Sequence, residues 1–280
     1  VRAEIKIDTK EESRVIALNS EMSYKTIFDQ IAEDYDEVRP GYPQELIQDI
    51  ISISRISEDG RILEIGCGTG QATIPFAKYG YSITCLDIGK RLVSLAAKNC
   101  QKYPNVHIHP VSFEEWKNEM NSFDLVMSAT AFHWIPPEIA YPKAAQILKE
   151  SGYIAIFSSL HPTPYTGFFQ TVQKVYRNIV PEWKDPTSEP STEDKIRSRE
   201  DYINGTGLFE KVLVKQYPWE KEYKTEQYIK LLNTYSAHRC LDKGRREKLF
   251  SNITDLIDEK YGGIITRPYL TVLYIAKKVS

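Results

Sequence analysis

The sequence predicts an α/β fold: a doubly wound, mostly parallel seven-stranded sheet with a helical cap inserted between its last two strands. Two observations carry that expectation. Between Arg61 and Phe157, short apolar runs alternate with segments whose apolar residues recur at helical spacing. Such alternation implies right-handed crossovers and a parallel sheet covered on both faces. A glycine-rich turn also stands where the first strand meets its helix. With 280 residues, 41% of them hydrophobic, the chain can bury about three quarters of its unfolded surface.

The elements follow in order. Residues 1–22 are polar and without period, an extension of unknown role. Phe28, Ile31, Ala32 and Tyr35 lie on one helical face, and Arg39-Pro40-Gly41-Tyr42-Pro43 ends that helix. A second helix carries Leu46, Ile47, Ile50 and Ile51. Arg61–Ile65 reads as the first strand, with a helix from about Gln71 to Lys78 after it. Ser82–Asp87 is the second strand, and 89–102 a helix with Leu92, Leu95 and Ala96 inward. Val106–His109, Phe123–Ser128 and Gly152–Phe157 are the next three strands, with a helix over 136–149. Beyond 158 the pattern loosens: 161–165 is a proline-rich loop and 181–195 a polar linker. Strand-like segments recur at 208–217 and 269–277. Between them Tyr228, Leu231, Leu232 and Tyr235 form one apolar helical face, and Leu249, Ile253, Leu256 and Ile257 another. The expected division is a main domain of 23–219 with 262–280, and a cap of 220–261.

Composition narrows the function. Lys and Arg total 36 against 38 for Asp and Glu, a formal charge of −2, and no basic stripe is present; a nucleic-acid partner is not expected. No apolar run reaches the 18 or more residues of a membrane span. The start of the chain is charged, without an apolar secretory core. Cys67, Cys85, Cys100 and Cys240 are scattered, so neither a disulfide framework nor a zinc site is indicated. A cytoplasmic protein, monomer or homodimer, is the expectation. His107 and His109 share a strand face without a third ligand in sight, and no metal is assigned.

The informative stretch is Leu63-Glu64-Ile65-Gly66-Cys67-Gly68-Thr69-Gly70, at the crevice where open α/β sheets bind nucleotide-like ligands. The dinucleotide fingerprint requires a small residue where Gln71 stands, and the Gly-Lys-Ser/Thr end of a P-loop is absent. Asp87 closes the second strand, 21 residues after Gly66, where a carboxylate can accept hydrogen bonds from both hydroxyls of a ribose.

Glu64-x-Gly66-x-Gly68-x-Gly70 resembles the first motif of the class I S-adenosylmethionine-dependent methyltransferases, whose sheet is Rossmann-like. The run from Phe28 through Ala32, Tyr35-Asp36 and Arg39-Pro40 to Tyr42-Pro43 is similar to the amino-terminal helix of a subgroup that includes trans-aconitate-methyltransferase-like proteins. Phe123–Val126 followed by Ala131-Phe132-His133-Trp134, then Leu232–Arg239 and Thr266–Leu270, resemble further parts of that subgroup. The likeness covers most of 24–277 and names no substrate.

The resemblance implies S-adenosyl-L-methionine as cofactor, S-adenosyl-L-homocysteine as product, and methyl transfer to a small-molecule acceptor at a carboxylate or hydroxyl. It assigns cofactor contacts to Glu64, Gly66, Cys67, Gly68 and Gly70 at the turn, and to Asp87 and Ile88 at the ribose. Ser112, Phe113 and Glu114 fall at the adenine; relatives often carry Asp where Ser112 stands. Ser128 and Ala129 close the fourth strand. Tyr35 and Arg39 would fold over the cofactor, Arg39 pairing with its carboxylate as a bidentate fork. His133 and Trp134 would line the acceptor side, His133 being the candidate catalytic base. Tyr235, His238, Arg239 and Arg267 are the candidate substrate residues of the cap. Two other readings stay open: a non-catalytic S-adenosylmethionine-binding regulatory protein, and a nicotinamide-dependent oxidoreductase, which Gln71 disfavours. In-line displacement from a sulfonium needs positioning and exclusion of water more than a nucleophile, and no Gly-x-Ser-x-Gly elbow is present.

Overall fold

The sheet grows outward from β1 (Arg61–Ile65), in which Ile62, Leu63, Glu64 and Ile65 are all buried. In the computed structural model, residues 28–117, 120–183, 188 and 190–279 are described; the extension read at 1–22 lies outside the described residues. The seven strands stand in the order β3-β2-β1-β4-β5-β7-β6, with β2 (Ser82–Asp87), β3 (Val106–Pro110), β4 (Phe123–Ala129), β5 (Leu148–Leu160), β6 (Leu213–Lys224) and β7 (Ile264–Lys277). The first five pair in parallel; β7 runs antiparallel between β5 and β6. The chain order reverses at β1, so the crevice beyond the carboxyl ends of β1 and β4 is the topological switch point, where such sheets hold ligands.

Helices cover both faces. α1 (Ala32–Val38) follows a 3₁₀ turn at Asp29–Ile31, and α2 (Gln44–Ser54) comes next. α3 (Thr73–Ala77) and α4 (Lys90–Asn99) flank β2, and α5 (Pro137–Ile147) leads into β5. From α2, Leu46, Ile47 and Ile50 are fully enclosed against Ile62, Phe76 and Leu125, each burial worth about 1.5–3 kcal/mol. On the other face, Tyr141 and Ala144 of α5 pack with Phe209, Val272 and Tyr274.

Two regions differ from the sequence expectation. Between the loop at 161–165 and the linker, where the sequence predicts no element, lie α6 (Gly167–Thr171) and α7 (Gln173–Ile179), and the end of the 181–195 linker already belongs to α8 (Thr192–Gly205). α8 buries only Thr192, Ile196 and Ile203, too few apolar positions for a clear period. It does carry an amino-cap, since Ser191 Oγ accepts the Asp194 amide at 3.1 Å. The last strands are also displaced: β6 starts at Leu213 rather than 208, and β7 at Ile264 rather than 269. Phe209 packs on the core but joins the sheet only through a lone bridge to Lys278.

Between β6 and β7 lie α9 (Thr225–Asn233), α10 (Ser236–Arg239) and α11 (Lys243–Tyr261). Leu231, Leu249, Ile253 and Ile257 form a core of their own with Phe168, Val172 and Val180 from the α6–α7 segment. The cap is therefore assembled from two stretches of chain. No helix among the described residues is long and apolar enough to cross a membrane.

Candidate functional site

The turn after β1 is held tightly. The amides of Gly66 and Cys67 both donate to the Leu86 carbonyl, at 2.8 and 3.1 Å. Gly66 has φ +72°, and a Cβ there would lie 2.3 Å from that of Ala131, so no side chain fits. Gly68 has φ +57° and faces the Tyr35 ring. Asp87 accepts the Gly68 amide on Oδ2 and the Gly89 amide on Oδ1, each at 2.9 Å. Burial raises its pKa, opposed by those amides. One carboxylate thus fastens the glycine turn to the end of β2 and keeps further lone pairs for a ligand.

Beneath the turn, Glu64 is buried at 1% exposure. Thr73 Oγ1 donates to its Oε2 at 2.6 Å, and Oε1 has no partner among the described residues. Burial, reinforced by the charge of Asp87, pushes its pKa up to about 8. Such a carboxyl is poised to meet a cation.

A cavity of about 420 Å³ opens above these groups, between α1, the ends of β1, β2 and β4, and the cap. α1 lies over the turn and is tied to both sides. Asp29 Oδ1 accepts the Arg91 and Leu92 amides at the start of α4, and Asn99 Nδ2 donates to Asp36 Oδ1 and the Thr69 carbonyl. Toward the cap, Arg39 donates from Nε to Thr234 Oγ1 (2.9 Å) and from Nη2 to the Thr234 carbonyl (2.7 Å). Its guanidinium stands between the rings of Tyr35 and Tyr235, 4.9 and 4.6 Å away. Those donors engage the cap in this structure, which adds a latch role to the ligand contact expected of Arg39.

At the other end, Ser112, Phe113 and Glu114 line the cavity. Their loop is gathered by Lys143, whose Nζ donates to the carbonyls of Phe113 (2.6 Å), Glu114 (3.1 Å) and Trp116 (2.6 Å). Cys67, Ile88, Ala129, His133 and Trp134 also face the cavity. The rings of His133 and Trp134 lie 4.8 Å apart, and Phe28 meets Trp134 edge-on at 6.1 Å. Desolvation of the packed side of the His133 ring, then the charge of Arg199, lowers its pKa to about 4. It is uncharged at neutral pH and weakly basic.

Tyr235 and Arg267 reach the cavity from the cap side. The Arg267 guanidinium lies among aromatic faces, 4.9 Å from Tyr269 and 5.7 Å from Phe169 and Tyr235, and its Nε has no partner among the described residues. Burial works against its charged form, and the surrounding phenol oxygens together outweigh it.

Four expected residues do not line this cavity. Gly70 (φ +95°) closes the turn from below, its amide donating to the Cys67 carbonyl at 2.9 Å. Ser128 donates to the Ile65 carbonyl at 2.8 Å, bracing β4 against the end of β1. His238 is buried in a second chamber with Tyr176, and Arg239 faces Asn233 at 3.5 Å. Other lining residues lie outside the expectation. Tyr42 and Thr130 share a hydrogen bond of 2.9 Å, and Ser159 bonds Thr271 at 2.8 Å. Thr130 holds φ +59°, which no local sequence signal announces. Tyr269 stands two residues after Arg267, and strand periodicity could have found it.

Comparison with known proteins agrees with this geometry. A family model described as a methyltransferase domain matches residues 62–152, which span β1 to the start of β5. An uncharacterized methyltransferase-like protein of Schizosaccharomyces pombe is 26% identical over 243 residues, covering 84% of this chain and 87% of the relative. A Saccharomyces cerevisiae protein named as a probable S-adenosylmethionine-dependent methyltransferase is 27% identical over 147 residues, 51% of this chain and 50% of its own. The chain is an S-adenosylmethionine-dependent methyltransferase. The fold of this methyltransferase is shared with the YcgJ protein of Bacillus subtilis, at a TM-score of 0.54 and 18% identity over 85% of this chain and all of that one. The family implies S-adenosylmethionine as methyl donor. The unpartnered Glu64 Oε1 and the side-chain-free approach at Gly66 and Gly68 suit a ligand that carries positive charge and lies against backbone.

Proposed function

We propose that this methyltransferase methylates a small-molecule acceptor, at a carboxylate or hydroxyl oxygen, by in-line displacement. Arg267 carries the reading. Its guanidinium faces the same cavity as the glycine turn, and its charge is met by phenol oxygens and aromatic faces, with no carboxylate paired to it among the described residues. Arginine in that setting suits a planar anion.

The bound cofactor supplies an activated methyl group on a sulfonium. The chain's own residues bind, orient and keep water away. Asp87, with Ile88 beside it, would hold the ribose hydroxyls. Ser112, Phe113 and Glu114 would take the adenine, and Gly66, Cys67, Gly68 and Ala129 the spine of the ligand. Glu64 would face the ammonium of the methionine part. The remaining N–H groups of Arg39, with Tyr35, would close over its carboxylate end. His133 and Trp134 would screen the acceptor side from water, and Tyr235 and Arg267 would orient the acceptor. A carboxylate acceptor needs no base, which accords with a His133 held near pKa 4, well below the range of an efficient base at neutral pH. A hydroxyl acceptor would draw on His133.

The charge of −2 supports a diffusible acceptor over nucleic acid. The same reading has the protein cytoplasmic, as monomer or homodimer. The test is a methyl-transfer assay over a library of small organic acids and hydroxyl compounds, reading S-adenosylhomocysteine release. Turnover with at least one small acid supports the reading. Cofactor binding without turnover on any member would favour a regulatory binding protein.

A further inference from the structure

A second chamber of about 220 Å³ adjoins the first, and Tyr235 and Arg267 line both. Its walls are largely aromatic, with Val172, Val180 and Leu232 between the rings. Tyr176 and Trp183 stack with centroids 5.7 Å apart, His161 meets Phe169 edge-on at 4.3 Å, and Tyr228 closes the cap side. No carboxylate lines it among the described residues.

The chamber nevertheless holds unpartnered polar atoms. His161 Nδ1 lies 3.0 Å from the Pro162 carbonyl, which can only accept, so Nδ1 carries the proton and Nε2 is a bare acceptor. That Nε2 has no partner among the described residues. His238, 7% exposed, shares Nε2 with the Tyr176 hydroxyl at 3.0 Å and leaves Nδ1 unpartnered. With Arg267 Nε this makes three buried polar atoms without a partner among the described residues, all on residues that line one chamber. Burial lowers both imidazoles to about 4, so Arg267 keeps its charge beside two neutral rings. A cavity of about 150 Å³ lined only by apolar residues stays dry and admits benzene. This chamber is larger, is lined by Arg267 and by the exposed Arg177, and offers hydrogen bonds to a ligand.

We propose that the second chamber is the seat of the acceptor's body, and that the acceptor is an aromatic carboxylic acid with its carboxylate on Arg267 at the waist and its ring among Phe169, Tyr176 and Trp183. The proposal rests on the methyl-transfer reading and adds the class of acceptor. Three observations select that class: arginine without a carboxylate among the described lining residues, flat walls that favour a planar ring, and the bare acceptor Nε2 of His161, suited to a ring hydroxyl.

The test is calorimetric titration of the protein saturated with S-adenosylhomocysteine. The probes are benzoate, 4-hydroxybenzoate and cinnamate, against benzamide, cyclohexanecarboxylate and succinate. The aromatic acids should bind at least roughly tenfold more tightly than all three controls. Arg267→Met should erase the preference for benzoate over benzamide. Gln173→Trp, at a half-buried position lining only the second chamber, should weaken every aromatic acid by at least roughly tenfold. Both variants should keep S-adenosylhomocysteine affinity within about twofold, which also reports folding. Equal binding of benzoate and any control to the wild-type protein overturns the proposal without any variant. Undiminished acid binding in a folded Gln173→Trp protein overturns it too. Failure of the wild-type protein to bind S-adenosylhomocysteine would instead overturn the cofactor reading, and this proposal with it.

Discussion

Glu64 supplies a sharp test of the cofactor site. Burial holds it near pKa 8 in the free protein, so at pH 7 about nine-tenths of the molecules carry its proton. A ligand that brings an ammonium against Oε1 favours the carboxylate and expels that proton. Binding of S-adenosylhomocysteine at pH 7 should therefore release up to about 0.9 proton, falling toward zero above pH 9. Affinity should rise with pH up to about 8, by at most tenfold per unit. His133 sits near 4 and contributes nothing in that window. The assay is calorimetry in phosphate and in Tris, whose ionisation heats differ; the difference in apparent enthalpy counts protons. Glu64→Gln should bind without that release. Equal proton release in wild type and Glu64→Gln would show that the proton does not come from Glu64. The same shift has a stability sign. The folded protein holds a proton that the unfolded chain gives up near 4.5, so stability declines as pH rises from about 4.5 to 8 and is flat beyond. The span is at most about 5 kcal/mol, and Glu64→Gln should flatten the slope.

Three further outcomes are expected. Asp87→Ala removes the acceptor of the Gly68 and Gly89 amides as well as the ribose partner, and should weaken S-adenosylhomocysteine binding by about 1.5–3 kcal/mol in calorimetry; unchanged affinity would remove Asp87 from the site. Ligand should slow hydrogen exchange across residues 28–42, because α1 lies over the glycine turn; equal exchange with and without ligand would count against closure there. Once an anionic acceptor is known, Arg267→Met should lower kcat/KM by at least roughly tenfold, about 1.4 kcal/mol, while Arg239→Met, which lines neither cavity, should change it by less than about threefold. Equal losses in both would mean that the acceptor reaches α10.

What is legible in the sequence divides along a physical line. The glycine turn, Asp87 and the β–α alternation are local patterns, each set by neighbours within a few residues. His238 and Arg239 carry the right chemistry on the right segment, but α10 spans only Ser236–Arg239, too short for a period to reveal which way a side chain points. The second chamber is hidden for a related reason. Its walls come from helices of five and seven residues and from Trp183, brought against the cap by contacts far apart in sequence. The one signal present was the density of aromatic residues between His161 and Trp183. The offset of β6 follows from its place at the sheet edge: past Tyr217 it buries only Tyr223, so charged residues occupy most of what a core strand would fill with apolar ones.

The pairing of β5 with β7 stops at Leu160 and Leu270, whereas β6 and β7 stay paired to Lys224 and Ile264. Ile264 to Tyr269 therefore run on past the rest of the sheet as a two-stranded ribbon, roughly 20 Å long at about 3.3 Å per residue. Along it side chains alternate, so Arg267, Tyr269 and Thr271 share one face. Trp219 stacks on Tyr269 at 4.5 Å and donates to Thr271 Oγ1 at 2.8 Å. Which residue meets the acceptor is thus a question of odd and even. One residue gained or lost between Ile264 and Leu270 would turn Arg267 outward and present Thr266 or Pro268 in its place, while the glycine turn after β1, with β4 and β5 between it and β7 in the sheet, kept its grip on the donor. A single step of ribbon parity would thus exchange a cationic pocket for a neutral one, with no residue of the donor half altered.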